Sequence, residues 1–205
     1  MNIEVFNHSS IKLSDKQNIY FDPYQLKEEK HDADYIFITH DHYDHYDEES
    51  IKKILNEKTY LIIPECLKEQ AITITDNILV VEPNKTYNID NLTFETIASY
   101  NKTKPFHPKD KKYVGYNLNI ENTKYYIMGD TDRTCETDTV KTDICFVPIG
   151  GTYTMNVEEA SSFINHIKPK KTIPTHYGSL VGDISLGEDF KRLIDKEIEV
   201  EIQIK

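Results

Sequence analysis

The stretch Ile36-Phe37-Ile38-Thr39-His40-Asp41-His42-Tyr43-Asp44-His45 decides the fold of this chain and carries most of its candidate chemistry. Its first four residues are typical of a buried β-strand, and helix-like sequence begins just after it, near Asp47. Three histidines and two aspartates therefore occupy a loop between a strand and a helix. A merely solvated loop would not explain why three of the eight histidines are concentrated here.

The residue types in this loop point to a bound metal. Neutral imidazole and carboxylate are ligands of divalent zinc, manganese and iron. Alternate residues of an extended stretch project to the same side, so His40 and His42 can bind one ion together. Asp44 and His45 follow the turn and can reach a second ion. The loop therefore predicts a metal site that other parts of the chain must complete.

Two later segments carry residues that would complete the coordination. Residues 125–128 resemble a strand that leads through Gly129 to Asp130, whose two carboxylate oxygens could bridge two cations. Residues 171–174 resemble a second strand, which leads to His176. Taken alone, Asp130 would be a turn residue and His176 a hydrogen-bonded loop residue. Together with the loop, both are predicted metal ligands.

The remaining sequence predicts an α/β fold. Helical patterns occur at 48–57, 64–72, 157–167 and 186–195; Pro64 opens the second, and Asn156 with Glu159 forms a capping box on the third. The first half resembles a meander. Early strands followed by strand–helix alternation predict two packed sheets with helices outside. The runs rich in Ile, Val, Tyr, Phe and Thr that predict strands are 2–6, 18–21, 34–39, 60–63, 92–99, 113–120, 125–128, 143–147, 171–174 and 198–204.

Composition narrows the function classes. The formal charge of −11 argues against broad binding to nucleic acid or to an anionic membrane, although residues 102–112 form a local lysine-rich stretch. We find no apolar run long enough to span a bilayer and no signal peptide. The three cysteines, 66, 135 and 145, form no C-x-x-C pair, so each is predicted to be buried and structural, in a reducing, cytoplasmic compartment.

The motif order His40-x-His42-x-Asp44-His45, then Gly129-Asp130, then His176, resembles the metallo-β-lactamase superfamily. The resemblance covers almost the full chain and looks most like the branch that contains the L-ascorbate-6-phosphate lactonase and Zn-dependent hydrolases. It implies a four-layer αββα sandwich, with two mixed β-sheets and flanking helices, in a single metallo-hydrolase domain over 1–205. The segments that carry the resemblance to this branch include Asn7-His8-Ser9-Ser10, Phe21-Asp22-Pro23, Phe106-His107-Pro108 and Val114-Gly115-Tyr116.

The resemblance also implies two divalent metal ions, zinc foremost, with manganese or iron as alternatives. One ion would be held by a third histidine together with His40 and His42. The second would be held by Asp44, His45 and His176, with Asp130 between the two ions.

The third histidine is the point at which this chain departs from its relatives. Relatives often carry histidine where this chain has Asn101. His107 is the only histidine between His45 and Asp130, so it is predicted to serve as the ligand or to lie beside the site. Asp22 is predicted to support a ligand histidine, and His8 to lie near the site without being a ligand.

The predicted activity is metal-dependent hydrolysis. A metal-bridging hydroxide would attack an ester, lactone or phosphoester of a small, anionic metabolite, with Asp44 and Asp130 as catalytic residues. The lysine-rich stretch could meet an anionic group, or it could be a solvated charged loop. Two alternatives remain open: a phosphodiesterase or ribonuclease of the same fold, and a non-catalytic metal-binding or sensing module, which Asn101 favours. The sequence also leaves a homo-oligomer open.

Overall fold

A computed structural model describes residues 1–204, which contain thirteen β-strands and four α-helices. The chain divides into two compact units, Met1–Val81 and Glu82–Lys205. Each unit contains one mixed β-sheet, and each is described below by itself. No helix within residues 1–204 has both the length and the apolar composition needed to cross a bilayer.

The first unit is built on a six-stranded sheet whose strands follow one another in chain order from β1 to β6. The first three strands pair antiparallel, but β3 to β6 pair parallel. The predicted meander is therefore wrong beyond β3, because long connections, including two helices, return the chain to the same edge. The elements are β1 (Asn2–Val5), β2 (Ile11–Ser14), β3 (Asn18–Phe21), β4 (Tyr35–Phe37), α1 (Glu48–Ile54), β5 (Tyr60–Pro64), α2 (Lys68–Ala71) and β6 (Ile78–Val81).

Packing of α1 on this sheet fixes the histidine-aspartate loop. Ile51 and Ile54 of α1 share a core cluster with Ile36 of β4 and Leu61 of β5. All three residues of β4 are buried, as expected for a parallel strand covered on both faces. The loop leaves the carboxyl end of β4 and enters α1, and Asp22 leaves the carboxyl end of the parallel neighbour β3.

The second unit contains a seven-stranded sheet in the spatial order β13-β12-β11-β10-β9-β8-β7. Strands β7 to β10 pair antiparallel, whereas β10 to β13 pair parallel. As a result, β8, β10 and β12 run in the same direction and end at the same edge. The elements are β7 (Thr86–Ile89), β8 (Leu92–Ala98), β9 (Val114–Ile120), β10 (Thr123–Ile127), β11 (Ile144–Pro148), α3 (Val157–Ile167), β12 (Lys171–Thr175), α4 (Leu186–Leu193) and β13 (Glu199–Val200).

Helices α3 and α4 cover one face of this second sheet. Phe163 of α3 and Phe190 of α4 are fully buried in one cluster with Tyr126 and Val147 of the sheet. The predicted capping box of α3 is confirmed, since Asn156 accepts from the backbone of Glu159 and Glu159 accepts from the backbone of Asn156. The predicted fold class, α/β with two mixed sheets and flanking helices, is confirmed.

Several local predictions are wrong. The helix predicted over 64–72 is present, but Pro64 ends β5, and the helical stretch consists of a 3₁₀ turn at Glu65–Leu67 followed by the single turn of α2. Strands β2, β6 and β7 were not predicted; β7 is only half-buried, so its apolar pattern is weak. Cys66 and Cys135 are exposed rather than buried, whereas Cys145 is buried as predicted.

Candidate metal centre

In the first unit, four predicted metal ligands and the two residues predicted to lie beside them form a compact group, here called the loop cluster: the ligands are His40, His42, Asp44 and His45, and the neighbours are His8 and Asp22. The imidazole rings of His40 and His45 lie 4.0 Å apart between centroids, and those of His40 and His42 lie 4.6 Å apart. His40 and His45 are almost fully buried. One turn of backbone therefore brings three imidazoles together.

Asp22 and Thr39 orient two of these imidazoles. The fully buried carboxylate of Asp22 accepts from the Thr39 backbone N–H at 2.8 Å, from the Thr39 hydroxyl at 2.7 Å and from Nδ1 of His45 at 2.8 Å. The Thr39 hydroxyl has a single proton, which goes to Asp22, so its oxygen accepts from Nδ1 of His40 at 2.9 Å. In the neutral form of each ring, the proton then lies on Nδ1, which leaves Nε2 as the ring nitrogen that could bind a metal.

Asp44 lies between two further histidines. Its Oδ2 lies 3.0 Å from Nε2 of His8 and 3.7 Å from Nε2 of His45. A ligand atom on each of these three residues lies within 4.8 Å of the other two. His8 is fully buried and has φ of 58°, in the left-handed region that a non-glycine residue adopts only when its surroundings hold it there. The structure thus places His8 directly against a predicted ligand.

In the second unit, the predicted residues meet at the edge where β8, β10 and β12 end, and are here called the sheet-edge cluster: Asn101, His107, Asp130 and His176. Oδ2 of Asp130 lies 2.9 Å from Nε2 of His176 and 3.4 Å from Nε2 of His107. All three side chains are at least 97% buried. Two imidazoles and one carboxylate oxygen therefore converge on one point.

Asn101 joins this cluster through its contacts with His107 and Tyr153. Its Nδ2 donates to the carbonyl oxygen of Tyr153 at 2.6 Å and lies 3.2 Å from Nδ1 of His107. Its backbone N–H donates to the carbonyl of His107 at 2.9 Å and closes the loop between them. The amide of Asn101 thus lies against the ring nitrogen of His107 that does not face Asp130.

Gly150 leaves the space that His176 fills. A Cβ at position 150 would lie 2.3 Å from the carbonyl oxygen of His176 and 3.3 Å from its Nδ1. Any side chain at this position would push the His176 backbone away from the sheet edge.

Two lysines of the lysine-rich stretch form ion pairs within the second unit. Lys104 pairs with Asp132 at 2.5 Å, and Lys109 pairs with Glu136 at 2.7 Å. The hydrogen bond from Lys109 lowers the pKa of the Glu136 carboxyl to about 2. Lys102, Lys109, Lys111 and Lys112 are exposed, and of these Lys109 is already paired with a carboxylate.

Sequence reasoning missed Thr39 and Asp132. Thr39 was assigned only to a strand end, although its position directly before the first loop histidine is a signal for a hydroxyl that could orient it. Asp132 follows Asp130 by two residues, so it projects from the same turn as a predicted ligand. The structure gives both of them buried hydrogen-bonded positions.

The donor set of each cluster fits a divalent cation. Imidazole nitrogen and carboxylate oxygen are the ligand types that zinc, manganese and iron share. His40 and His45 donate from Nδ1 to Thr39 and Asp22, and a hydrogen bond from the second ring nitrogen is a usual feature of metal-binding histidines. In the sheet-edge cluster, His107 and His176 both present Nε2 to Oδ2 of Asp130.

Comparison with known proteins identifies the family. Residues 2–176 match the model of the beta-lactamase superfamily domain. The chain is 32% identical to a UPF0173 metal-dependent hydrolase of Staphylococcus carnosus, over 83% of this chain and 79% of that protein. A crystal structure named as a metal-dependent hydrolase from Parabacteroides distasonis is 29% identical with a TM-score of 0.84, covering 99% of this chain and 93% of the other.

A more distant structure has the same fold. It is named as a Zn-dependent hydrolase of the metallo-β-lactamase superfamily from Thermotoga maritima, and it is 21% identical with a TM-score of 0.65. The match covers 98% of this chain and 96% of that one. The chain therefore belongs to the β-lactamase superfamily, as one of its metal-dependent hydrolases.

Proposed function

We propose that this chain binds two divalent metal ions, zinc foremost, and hydrolyses an ester, lactone or phosphoester of a small, anionic metabolite. Manganese and iron are the alternative metals, because the donor set suits them as well. In the ligand pattern of the family, one ion takes three histidines and the other takes one aspartate and two histidines. The proposed ligands are His40, His42 and His107 for the first ion, Asp44, His45 and His176 for the second, and Asp130 for both.

One observation carries this proposal: Asp22 and Thr39 accept the Nδ1 protons of His45 and His40. Two neighbouring imidazoles that both keep Nε2 unprotonated offer two lone pairs side by side. A metal cation accepts such lone pairs. Family membership supports the same reading for the sheet-edge cluster.

The residues of the chain divide the hydrolytic work between them. When bound, the metal would lower the pKa of a water molecule towards neutrality and polarise the substrate oxygen. We assign Asp44 the role of orienting this water and accepting its proton. His8, 3.0 Å from Oδ2 of Asp44, holds that carboxylate in place. Asp130 holds Nε2 of His107 and His176 towards one point.

The substrate preference rests on fewer residues than the reaction type. The exposed lysines at positions 102, 111 and 112 would meet an anionic group, whereas Lys104 and Lys109 are already paired with carboxylates. A small metabolite agrees with the acidic balance of the chain, which would repel a polyanion such as RNA. Three free cysteines support a reducing, cytoplasmic location.

The test combines metal content with turnover. Protein purified without chelators is analysed for zinc, manganese and iron, and then assayed on matched charged and uncharged esters, lactones, phosphomonoesters and phosphodiesters. We expect about two metals per chain. We also expect His42→Ala and Asp130→Ala to lose both metal and turnover, and His166→Ala, at a half-exposed histidine, to keep both.

The alternatives give different results. Metal binding without turnover of any substrate would indicate a sensing or metal-binding module instead of an enzyme. Turnover only of phosphodiesters, with an RNA affinity that falls steeply with salt, would indicate a nuclease. Undiminished turnover by metal-free protein would reject the proposed function altogether.

A further inference from the structure

The loop that carries His107 has no regular secondary structure between Lys102 and Phe106, yet it holds a buried histidine in a demanding conformation. His107 has φ of 55°, in the left-handed region, and is 2% exposed. Such a conformation costs free energy, so neighbouring contacts must hold it. The position of Nε2 of His107 beside Asp130 therefore depends on what anchors this loop.

Asp132 is the anchor. One of its carboxylate oxygens, Oδ2, accepts from the backbone N–H of Lys102 at 2.9 Å, and the other, Oδ1, accepts from Nζ of Lys104 at 2.5 Å. Its own backbone N–H donates to the carbonyl of Tyr100 at 3.1 Å. Asp132 follows Asp130 by two residues, so a single residue ties the His107 loop to the backbone that carries Asp130.

Lys104 completes a buried pair on this anchor. Its side chain is 17% exposed and that of Asp132 is 9% exposed, and a second carboxylate, Glu159 at the start of α3, lies 3.6 Å from the same ammonium. Removal of one partner from a largely buried ion pair leaves an uncompensated charge and destabilises the structure that holds the pair. The same loop therefore joins Asp132 and α3 through one ammonium group.

A second lysine of the loop forms an ion pair whose lysine is exposed to solvent. Lys109 pairs with Glu136 at 2.7 Å, but the lysine side chain is 61% exposed. Lys109 lies two residues after His107 and Lys104 three residues before it, so both flank the same histidine. Exposed ion pairs contribute little to structure, since water and salt screen them. Lys109 thus offers a matched control within the loop.

We propose that the buried Lys104–Asp132 pair positions His107 for metal binding beside Asp130. Lys104 and Asp132 are positioning residues in this account, since they act through the loop and not on the metal. The inference rests on the proposed function, because it takes His107 and Asp130 as ligands.

The experiment measures metal affinity in four variants: Lys104→Met, Lys104→Arg, Asp132→Asn and Lys109→Met. Zinc dissociation constants come from competition with a chromophoric chelator, and the visible spectrum of cobalt-substituted protein reports coordination geometry. We expect Lys104→Met and Asp132→Asn to weaken one of the two metal sites by about 10–100-fold and to change the cobalt spectrum. Lys104→Arg should restore both, and Lys109→Met should stay within about 3-fold of the unchanged protein.

The outcomes separate the two hypotheses. If the unchanged protein binds no metal, the proposed function fails. If it binds metal and Lys104→Met binds with the same affinity and spectrum, the positioning role alone is wrong. Equal losses in Lys104→Met and Lys109→Met would also overturn it, since burial would then not matter. If Lys104→Met does not fold, the double variant Lys104→Met/Asp132→Asn replaces it, because it removes both charges of the pair. This double variant must show the same loss of metal affinity. Unchanged affinity in the double variant would refute the inference.

Discussion

The change Asp22→Asn tests the tautomer argument most sharply, because it alters one atom of a fully buried side chain. The Thr39 backbone N–H can only donate, so the remaining oxygen of the variant must stay opposite it. The new amide nitrogen then faces the Thr39 hydroxyl and Nδ1 of His45. Both of these groups can accept a hydrogen bond from the amide instead of donating one. His45 would then carry its proton on Nε2, and the reversed Thr39 hydroxyl would impose the same change on His40.

The expected loss of zinc affinity follows from the number of proposed histidine ligands that change tautomer. Loss of one supporting hydrogen-bond partner costs about 10–100-fold in metal affinity. Since one substitution reverses two ligands, we expect the upper end, about 100-fold, which corresponds to about 2.8 kcal/mol. The metal-free protein should lose only about 1–2 kcal/mol of unfolding free energy, because the hydrogen bonds are re-formed without the charge.

The assay compares zinc dissociation constants and urea unfolding for Asp22→Asn and a matched control, Asp34→Asn. The Asp34 carboxylate accepts from the backbone N–H of Asn18 at 2.7 Å in the same unit, so the control removes a carboxylate that contacts backbone rather than histidine. Long-range nitrogen–proton NMR spectra of the metal-free variant should show His45 protonated at Nε2. A folded Asp22→Asn protein that binds zinc within about 3-fold of the unchanged chain would refute the reasoning.

Three further predictions concern the second unit. The hydrogen bond from Lys109 lowers the pKa of Glu136 from 4.5 to about 2, so it stabilises the fold above pH 4.5 and this contribution is lost as the pH falls towards 2. Lys109→Met should therefore lower the unfolding free energy slightly at pH 7 and by less at pH 3, and an equal loss at both would contradict this. Burial raises the pKa of the Cys145 thiol, so a thiol reagent should label the two exposed cysteines of the native protein and spare Cys145, as peptide mass spectrometry would show. Gly150→Ala should destabilise the protein by about 1–3 kcal/mol and weaken zinc binding, since its Cβ meets the His176 carbonyl, and an unchanged melting temperature and zinc affinity would show that this contact is not tight.

The sequence predicted which polar side chains of the loop lie together better than it predicted strand pairing. The histidine-aspartate loop was recognisable because ligand-type residues are concentrated between a strand and a helix. The capping box of α3 was predictable because it depends on Asn156 and Glu159, which are three residues apart. The parallel pairing of β3 to β6 was missed, since it is decided by crossover connections rather than by any local pattern.

Most contacts that orient the proposed ligands were hard to foresee, and the role of Asp22 was anticipated only from the family resemblance. Asp22 and Thr39 are 17 residues apart, and Lys104 and Asp132 are 28 residues apart. Nothing local in the sequence distinguishes such an aspartate from one in an exposed turn. The left-handed conformations of His8, His107 and His176 were equally hidden, because such backbone is normally expected of glycine or asparagine.

The most direct test of the metal-binding claim is a crystal structure of the protein soaked in zinc, with anomalous diffraction recorded on both sides of the zinc absorption edge. We predict anomalous peaks within about 2.0–2.2 Å of Nε2 of His40 and His45 and of a carboxylate oxygen of Asp130. Crystals without such peaks in excess zinc, or with peaks only at surface residues, would contradict the account.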